Sequence, residues 1–449
     1  PGKVTLAAPS HVNAAFEAAE VWRVPVTERR AILQNAADLL EERFGETFAL
    51  LAREAGKTLP DCVAELREAV DFLRYYATQA TEAPAAGIYA CISPWNFPLA
   101  IFLGQVSAAL AAGNAVIAKP AEQTPLIAAL AVEILHMAGV PRSALQLLPG
   151  GAEVGAQVTS NPRLDGVAFT GSTATALRIR AAMSQNARPG TPLIAETGGL
   201  NAMIIDSTAL PEQAVEAVIE SAFQSAGQRC SALRCLYVQE DIAPEFIRLL
   251  VGAMEALKLG NPWNLSTDVG PVIDVAALQA IDGHIATARA DGRLVADVVT
   301  PEAGNFVAPT LIRVSSIADL KSEVFGPVLH LATFKAAEID KVIDQINATG
   351  YGLTFGLQTR IDDRVQHISD RINAGNVYVN RNQIGAIVGS QPFGGEGLSG
   401  TGPKAGGPNY LPRFAACDRR STTERWQGQQ HRLPNLPDHA VHRITSAHV

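Results

Sequence analysis

Cys230 lies in the run Ser225-Ala226-Gly227-Gln228-Arg229-Cys230-Ser231. A Gly-Gln turn before it and an arginine beside it put a thiol at a segment end next to a positive charge. That setting lowers a thiol's pKa and makes it nucleophilic. A single cysteine can equally be buried and inert, and Cys62, Cys91 and Cys235, which sit on apolar patterns, take that reading. Glu196, in Ala195-Glu196-Thr197-Gly198-Gly199, ends an apolar stretch and precedes two glycines. A carboxylate there is placed to have a raised pKa and act as a general base; it can also simply end a strand or cap a turn. Asn96, in Ser93-Pro94-Trp95-Asn96-Phe97-Pro98, is an amide in a Pro-bounded turn that could donate to an oxyanion or stabilise the turn itself.

Phe169-Thr170-Gly171-Ser172-Thr173 follows an expected strand and opens an expected helix, where free backbone N–H groups attract a phosphate. The sequence has no GxxxxGK[ST] loop and no GxGxxG after a strand, and Gly400-Thr401-Gly402 follows no clear strand. Cys230 and Cys235 are not spaced for a metal and no histidine pair accompanies them. His431, His439, His442 and His448 lack ligand spacing and read as a solvated tail. No metal is expected.

These residues need a scaffold. Residues 11–82 read as helices, with apolar positions recurring three and four apart in Arg30–Leu40 and Val63–Tyr75. From Ile88 the pattern alternates. Strands are expected at Ile88–Ile92, Ala115–Lys119, Leu145–Leu148 and Val167–Thr170, with helices at Phe102–Ala112 and Pro125–Ala138. A second block follows Glu196: a strand at Asn201–Ile205, a helix at Glu212–Ser225, a strand at Cys235–Gln239, and further alternation to Val377–Asn380. Such alternation predicts an α/β protein with parallel sheets, which bind nucleotides at the carboxyl ends of their strands. Glu396–Pro408 is Gly-rich and predicts a loop, and the pattern dissolves after Phe414.

The chain has 449 residues, 47% hydrophobic and 18% charged, with a net charge of −8. That length suggests two or three domains. The negative balance gives no basic surface for nucleic acid, and the apolar runs are too short to cross a bilayer. Pro1-Gly2-Lys3 leads into an amphipathic segment and not a signal peptide, and the five cysteines have no disulfide-framework spacing. A cytoplasmic location is expected.

Taken together, these segments resemble the aldehyde dehydrogenase superfamily from roughly Asn13 to Phe414. Pro94–Pro98, Lys119-Pro120-Ala121-Glu122, Phe169–Thr173, Glu196-Thr197-Gly198-Gly199, Gly227-Gln228-Arg229-Cys230, Glu323-Val324-Phe325-Gly326-Pro327 and Pro392-Phe393-Gly394-Gly395 come in the family's order, with Glu196 and Cys230 separated by 34 residues. Ile194–Gly199, Ser225–Arg234, Asn376–Asn382 and Gly394–Pro408 are similar to the glutamate semialdehyde (pyrroline-5-carboxylate) dehydrogenases, including the dehydrogenase half of bifunctional proline-utilisation enzymes. No proline dehydrogenase barrel is present in these residues.

The resemblance implies the aldehyde dehydrogenase fold, with a Rossmann-like NAD-binding domain over residues 1–195 and an α/β catalytic domain over 196–385. A Gly-rich substrate-anchor loop and return segment would fill 386–414, and a polar tail 415–449. It implies NAD-dependent oxidation of L-glutamate γ-semialdehyde to L-glutamate, with Cys230 as nucleophile, Glu196 as base and Asn96 as oxyanion donor. Pro94, Trp95, Lys119, Glu122, Thr170, Gly171, Ser172, Gly198, Glu323 and Phe325 would contact NAD. Glu65, Phe97, Ser231, Ser399, Gly400 and Thr401 would contact the substrate, with Glu65 facing its ammonium and Ser399–Thr401 its carboxylate.

Relatives carry a long hairpin before the strand entering Pro94, which reaches a neighbouring subunit, and a returning strand past Phe414. Here Ala80–Gly87 is too short and too rich in Pro and Gly for two paired strands, and Ala415–Ser421 has no period-two apolar face. A monomer or weak dimer is expected. The competing readings are another semialdehyde dehydrogenase, such as one for succinate semialdehyde, and a catalytically silent binding or scaffold module.

Overall fold

Short apolar runs, several of them bounded by Gly, Pro or Asn, become the strands of two large sheets in the computed structural model, which describes residues 3–416. The chain opens with four helices, α1 (Pro9–Ala18), α2 (Val26–Glu42), α3 (Phe44–Glu54) and α4 (Leu59–Gln79). Then β1 (Ile88–Ile92), α5 (Ala100–Ala111), β2 (Ala115–Lys119), α6 (Pro125–Ala138), β3 (Leu145–Leu147), α7 (Ala152–Thr159), β4 (Gly166–Gly171), α8 (Thr173–Asn186) and β5 (Leu193–Thr197) alternate. The five strands are parallel, in the order β3-β2-β1-β4-β5.

The two faces of this sheet separate by the period of two that a pleated strand imposes. Tyr89, Cys91, Val116, Ala118, Ala168 and Ile194 pack under α2 to α6. Ile88, Ala90, Ile117, Val167, Phe169 and Ala195 face the other way, toward α1, α7 and α8.

The second half adds β6 (Ala202–Ile205), α9 (Pro211–Phe223), β7 (Cys235–Gln239), α10 (Ala243–Glu255), α11 (Val275–Ala290), β8 (Leu294–Asp297), β9 (Thr310–Arg313) and β10 (Val328–Phe334). It continues with α12 (Ile339–Asn347), β11 (Tyr351–Gly352), β12 (Thr354–Gln358), α13 (Asp362–Ser369), β13 (Asn376–Val379) and β14 (Glu396–Gly397). The second sheet runs β13-β12-β6-β7-β10-β9-β8, parallel except for the β8–β9 pair. The Gly-rich stretch expected as loop contributes the two-residue β14, which pairs antiparallel with β11.

The helix expected over Glu212–Ser225 stops early, at Phe223, and becomes a tight 3-10 turn over Gln224–Gly227. Ser225 and Ala226 each have φ of 54° and Gly227 has 64°. Left-handed backbone is unfavourable for residues with a Cβ and is held in place by surrounding contacts. Here Ser225 Oγ accepts from Arg229 Nε at 3.2 Å.

Past the Gly-rich segment the chain returns to the first core. Phe414 is buried there, its ring 4.6 Å from that of Tyr89. Ala86 N–H donates to Phe414 O at 3.4 Å and Ala416 N–H to Pro84 O at 2.8 Å. The short stretch before β1 and the return segment therefore touch through an antiparallel bridge at Ala85 and Ala415. The expected polar tail and its histidines lie, beyond Ala416, outside the described residues. Among the described residues no helix is long and apolar enough to cross a membrane.

Candidate active site

The strand order of the first sheet reverses direction between β1 and β4, and the carboxyl ends of parallel strands at such a point form a ligand crevice. The expected dinucleotide contacts gather at these ends. Pro94 and Trp95 follow β1, Lys119 closes β2 with exposed Glu122 in the turn beyond, Thr170 and Gly171 close β4, and Gly198 follows β5. Ser172 is the N-cap of α8, its Oγ accepting from Thr175 N–H at 3.2 Å. The Lys119 amine is buried and donates to Pro120 O at 2.7 Å; burial lowers its pKa.

Glu323 and Phe325 reach the same crevice from the loop before β10. Trp95 and Phe325 meet edge to face at 5.5 Å. A Cβ on Gly198 would collide with Glu323 Oε2, so only glycine lets this carboxylate approach β5. Glu323 Oε1 accepts from Arg234 Nη2 at 3.0 Å and Nε at 3.2 Å. Burial raises the pKa of Glu323, and Arg234 opposes the rise.

Cys230 sits half-buried between the left-handed turn and β7. Its carbonyl accepts from Asn201 Nδ2 at 2.6 Å, and the next carbonyl, of Ser231, accepts from Thr354 Oγ1 at 3.1 Å. The expectation that Arg229 lowers the pKa of this thiol is not met. The Arg229 guanidinium turns to Asp61, at 2.9 Å, and over the Phe97 ring, at 5.1 Å. Burial, with Glu323, Glu196 and Glu68 adding repulsion, pushes the Cys230 thiol up to about 12. The thiol therefore needs a proton acceptor to become a nucleophile. Cys62, Cys91 and Cys235 are fully buried, as expected for packing residues.

Glu196 lies on β5, and its carboxylate rests in a cradle of glycines. Oε2 accepts the Gly395 N–H at 2.8 Å. A Cβ on Gly400 would stand 2.8 Å from both carboxylate oxygens, and one on Gly394 would stand 3.1 Å from Oε1. Burial pushes the carboxyl up to about 8, with the Gly395 N–H and Lys404 opposing.

Cys230 and Glu196 line one cavity of about 420 Å³, together with Phe97, Thr170 and Ser231. Asn96 is buried in the turn beside Phe97 but is not among the cavity-lining residues.

Four of the expected substrate contacts lie elsewhere. Glu65 is fully buried; its Oε2 accepts the Ala100 N–H at 2.9 Å, at the start of α5, and its Oε1 lies 3.5 Å from Lys57 Nζ. Ser399 is fully buried, its hydroxyl donating to Gly198 O at 2.9 Å and accepting from Gly352 N–H at 3.1 Å. Thr401 Oγ1 accepts from Ala195 N–H at 2.9 Å and donates to Leu193 O at 3.2 Å. Gly400 bridges to Glu196. The Ser399–Thr401 segment is thus fastened to β5, its hydroxyls already partnered, and it seats Glu196 without lining the cavity.

The sequence reading missed two cavity features. Ala64, Arg67, Glu68 and Asp71 line the cavity from α4. Their spacing of three and four along the expected helix was the signal for a second face beside the core face. Glu68 is half-buried, and burial, then Glu65, pushes it up to about 7. The loop Gly385–Val388 also lines the cavity. Gly385 has φ of 106°, and the backbone N–H groups of Gly385 and Ala386 have no partner among the described residues.

Residues 2–418 match the aldehyde dehydrogenase family. The bifunctional protein PutA of Klebsiella aerogenes is 55% identical over 424 residues, which cover 90% of this chain and 32% of that protein. The chain thus spans about a third of the length of such bifunctional relatives. The 1-pyrroline-5-carboxylate dehydrogenase of Bacillus cereus (strain B4264) is 37% identical, with 92% of this chain and 85% of the relative covered. A crystal structure of a bifunctional proline utilization A protein superposes with a TM-score of 0.90 at 52% identity, covering 93% of this chain and 45% of that one. A 1-pyrroline-5-carboxylate dehydrogenase from Thermus, solved with bound NAD, superposes with a TM-score of 0.85 at 33% identity, covering 92% and 85%. The chain belongs to the aldehyde dehydrogenase family.

Proposed function

We propose that this chain oxidises L-glutamate γ-semialdehyde, the open form of pyrroline-5-carboxylate, to L-glutamate with NAD, the second step of proline catabolism. The observation that carries this reading is the single cavity at Cys230 and Glu196. It offers carboxylates of α4 for an ammonium, and the Ser231 hydroxyl with the N–H groups of Gly385 and Ala386, unpartnered among the described residues, for a carboxylate. The relatives named above support the same substrate.

The crevice residues fit a dinucleotide. Ser172 caps only Thr175, which leaves the N–H groups of Thr173 and Ala174 at the start of α8 without a partner among the described residues and open to a phosphate. Lys119 and Glu122 would hold the adenosine ribose, Glu323 the nicotinamide ribose, and Phe325, Trp95 and Pro94 the nicotinamide end. The charge of Glu122 disfavours a 2′-phosphate. Residues 1–195 would form the NAD-binding part and 196–385 the part that carries the nucleophile.

In this mechanism the Cys230 thiol gives up its proton to solvent water and its sulfur attacks the aldehyde carbon, the carbonyl electron pair moving onto the oxygen. The Asn96 amide and the Cys230 N–H hold the oxyanion. NAD, when bound, supplies the hydride acceptor. Cys230 is left as a thioester, and Glu196 takes a proton from the water that attacks it. We place the protein in the cytoplasm. We also read it as a monomer or weak dimer, because among the described residues the stretch Ala80–Gly87 meets the return segment through one bridge, at Ala85 and Ala415; a stable dimer in light scattering would refute that.

A substrate panel with NAD and NADP tests the function. Glutamate semialdehyde with NAD should exceed succinate semialdehyde and uncharged aldehydes by a wide margin in kcat/KM. Equal efficiency with succinate semialdehyde would favour the other semialdehyde reading, equal use of NADP would remove the role of Glu122, and no NADH formation with any aldehyde would favour a silent binding module.

A further inference from the structure

Arg234 opens β7's approach and is 1% exposed. All five of its guanidinium N–H groups are engaged. Nη1 donates to Gly227 O at 2.7 Å and to Gly326 O at 3.1 Å. Nη2 donates to Arg229 O at 3.0 Å and to Glu323 Oε1 at 3.0 Å, and Nε donates to Glu323 Oε1 at 3.2 Å. The acceptors come from two segments. Gly227 and Arg229 belong to the turn that presents Cys230, and Glu323 and Gly326 to the loop at the crevice. These segments also touch directly, since a Cβ on Gly227 would collide with Gly326 O.

The arginine is itself held. Its carbonyl accepts from both the N–H and the Nδ1 of His330 at 3.0 Å, and His330 Nε2 meets His284 Nε2 at 2.9 Å. Its guanidinium also lies 5.1 Å from the Phe325 ring. A planar fork with fixed donor directions can bridge two loops in one geometry, whereas a lysine ammonium is a single point charge and cannot reach all four acceptors.

We propose that Arg234 is a positioning residue that couples occupancy of the ribose site at Glu323 to the placement of Cys230. This rests on the reading of Glu323 as a cofactor contact, and it does not depend on which aldehyde is oxidised. A change at the carboxylate passes to the guanidinium, and from there to the Gly227 and Arg229 carbonyls that frame the thiol.

The test uses ADP-ribose, which carries the ribose that Glu323 would hold but no nicotinamide to cover the thiol. The rate of Cys230 alkylation by iodoacetamide is measured with and without ADP-ribose at concentrations that saturate each variant, with binding followed by calorimetry and folding by thermal melt. In the wild type ADP-ribose should change the rate by about fivefold or more, the lower range of allosteric couplings. In Arg234→Lys and in Glu323→Ala the rate should be the same with and without the ligand. A wild type indifferent to bound ADP-ribose, or an Arg234→Lys variant that responds like the wild type, overturns the coupling. Should Arg234→Lys fail to fold, Glu323→Ala decides, because it removes the oxygen that accepts from Nη2 and Nε; a response like the wild type's in that variant overturns the coupling as well. Failure of glutamate semialdehyde as substrate would leave this result untouched, so the two readings fail separately.

Discussion

Glu196 Oε2 accepts the Gly395 N–H at 2.8 Å, while Oε1, buried beside it, has no partner among the described residues. A carboxylate with one oxygen unpaired in a buried site favours its neutral form, and burial pushes Glu196 up to about 8. The sign follows. Below that pH the group is mostly protonated and cannot accept a proton from water; above it the base is available. Thioester hydrolysis should therefore accelerate as pH rises through about 8 and then level off. Glu196→Gln should give a burst of NADH followed by a slow, pH-independent steady state. Stopped-flow NADH absorbance from about two pH units below to about one above that value checks both. A flat wild-type profile, or an unchanged steady state in the variant, would remove Glu196 from the role.

Cys230→Ala removes the thiol but touches none of the crevice contacts of Glu323 or Ser172. Aldehyde oxidation should fall by several orders of magnitude, the typical cost of losing a covalent nucleophile. NAD affinity, measured by calorimetry, should stay within about threefold of wild type, a difference under about 1 kcal/mol. Residual turnover within about tenfold of wild type would show that another group carries the chemistry.

Gly198→Ala should act in the opposite way. The new Cβ would collide with Glu323 Oε2, and the carboxylate has little freedom to move because Arg234 holds its other oxygen. Overpacking of this kind costs about 1–3 kcal/mol, so NAD affinity should weaken by roughly ten- to a hundredfold. The melting temperature should drop by only a few degrees, since the chain is long and the clash is local. Unchanged NAD affinity would mean that Glu323 does not contact the cofactor.

The strands Ile88–Ile92 and Ala115–Lys119 were legible to the residue because each is a largely apolar run with a breaker at its edge, Gly87 before the first and Pro120 after the second, and Cys235–Gln239 because its apolar run lies between the charges of Arg234 and Glu240. The helix ending at Phe223 was not, because Ser225 and Ala226 carry no local mark of left-handed backbone. That turn depends on Arg229, which itself is drawn to Asp61 on α4, far away in sequence. The same distance hid the true partner of Arg229 and suggested a thiol lowered by a charge that in fact points elsewhere. Ser399 and Thr401 looked like ligand groups because a hydroxyl in a Gly-rich loop fits an anion; their partners on and after β5 are invisible in a local pattern. Glu65 and Glu68 differ by less than one helical turn, and only the packing of α4 against α5 decides which is capped off and which faces the cavity.

Glu68 gives the sharpest test of substrate choice. It faces the cavity from α4, is pushed up to about 7 chiefly by burial, and is opposed by the charges of Arg229 and Lys57. As an acid with a raised pKa it is charged above that pH and neutral below. Its attraction for an ammonium should therefore be present at alkaline pH and fade as pH falls through about 7. A hydrogen bond between charged groups contributes about 1.5–3 kcal/mol. Glu68→Gln should accordingly raise KM for glutamate semialdehyde by roughly ten- to a hundredfold at pH about 8. Glutaric semialdehyde has the same chain and carboxylate without the ammonium, so its KM should barely change. Glu65→Gln, by contrast, should lower the melting temperature, because Glu65 serves the start of α5 and Lys57, and should not discriminate between the two aldehydes. Steady-state kinetics of both variants on both aldehydes would check this, and an equal rise in KM for the two aldehydes in Glu68→Gln would show that Glu68 shapes the cavity without recognising the ammonium.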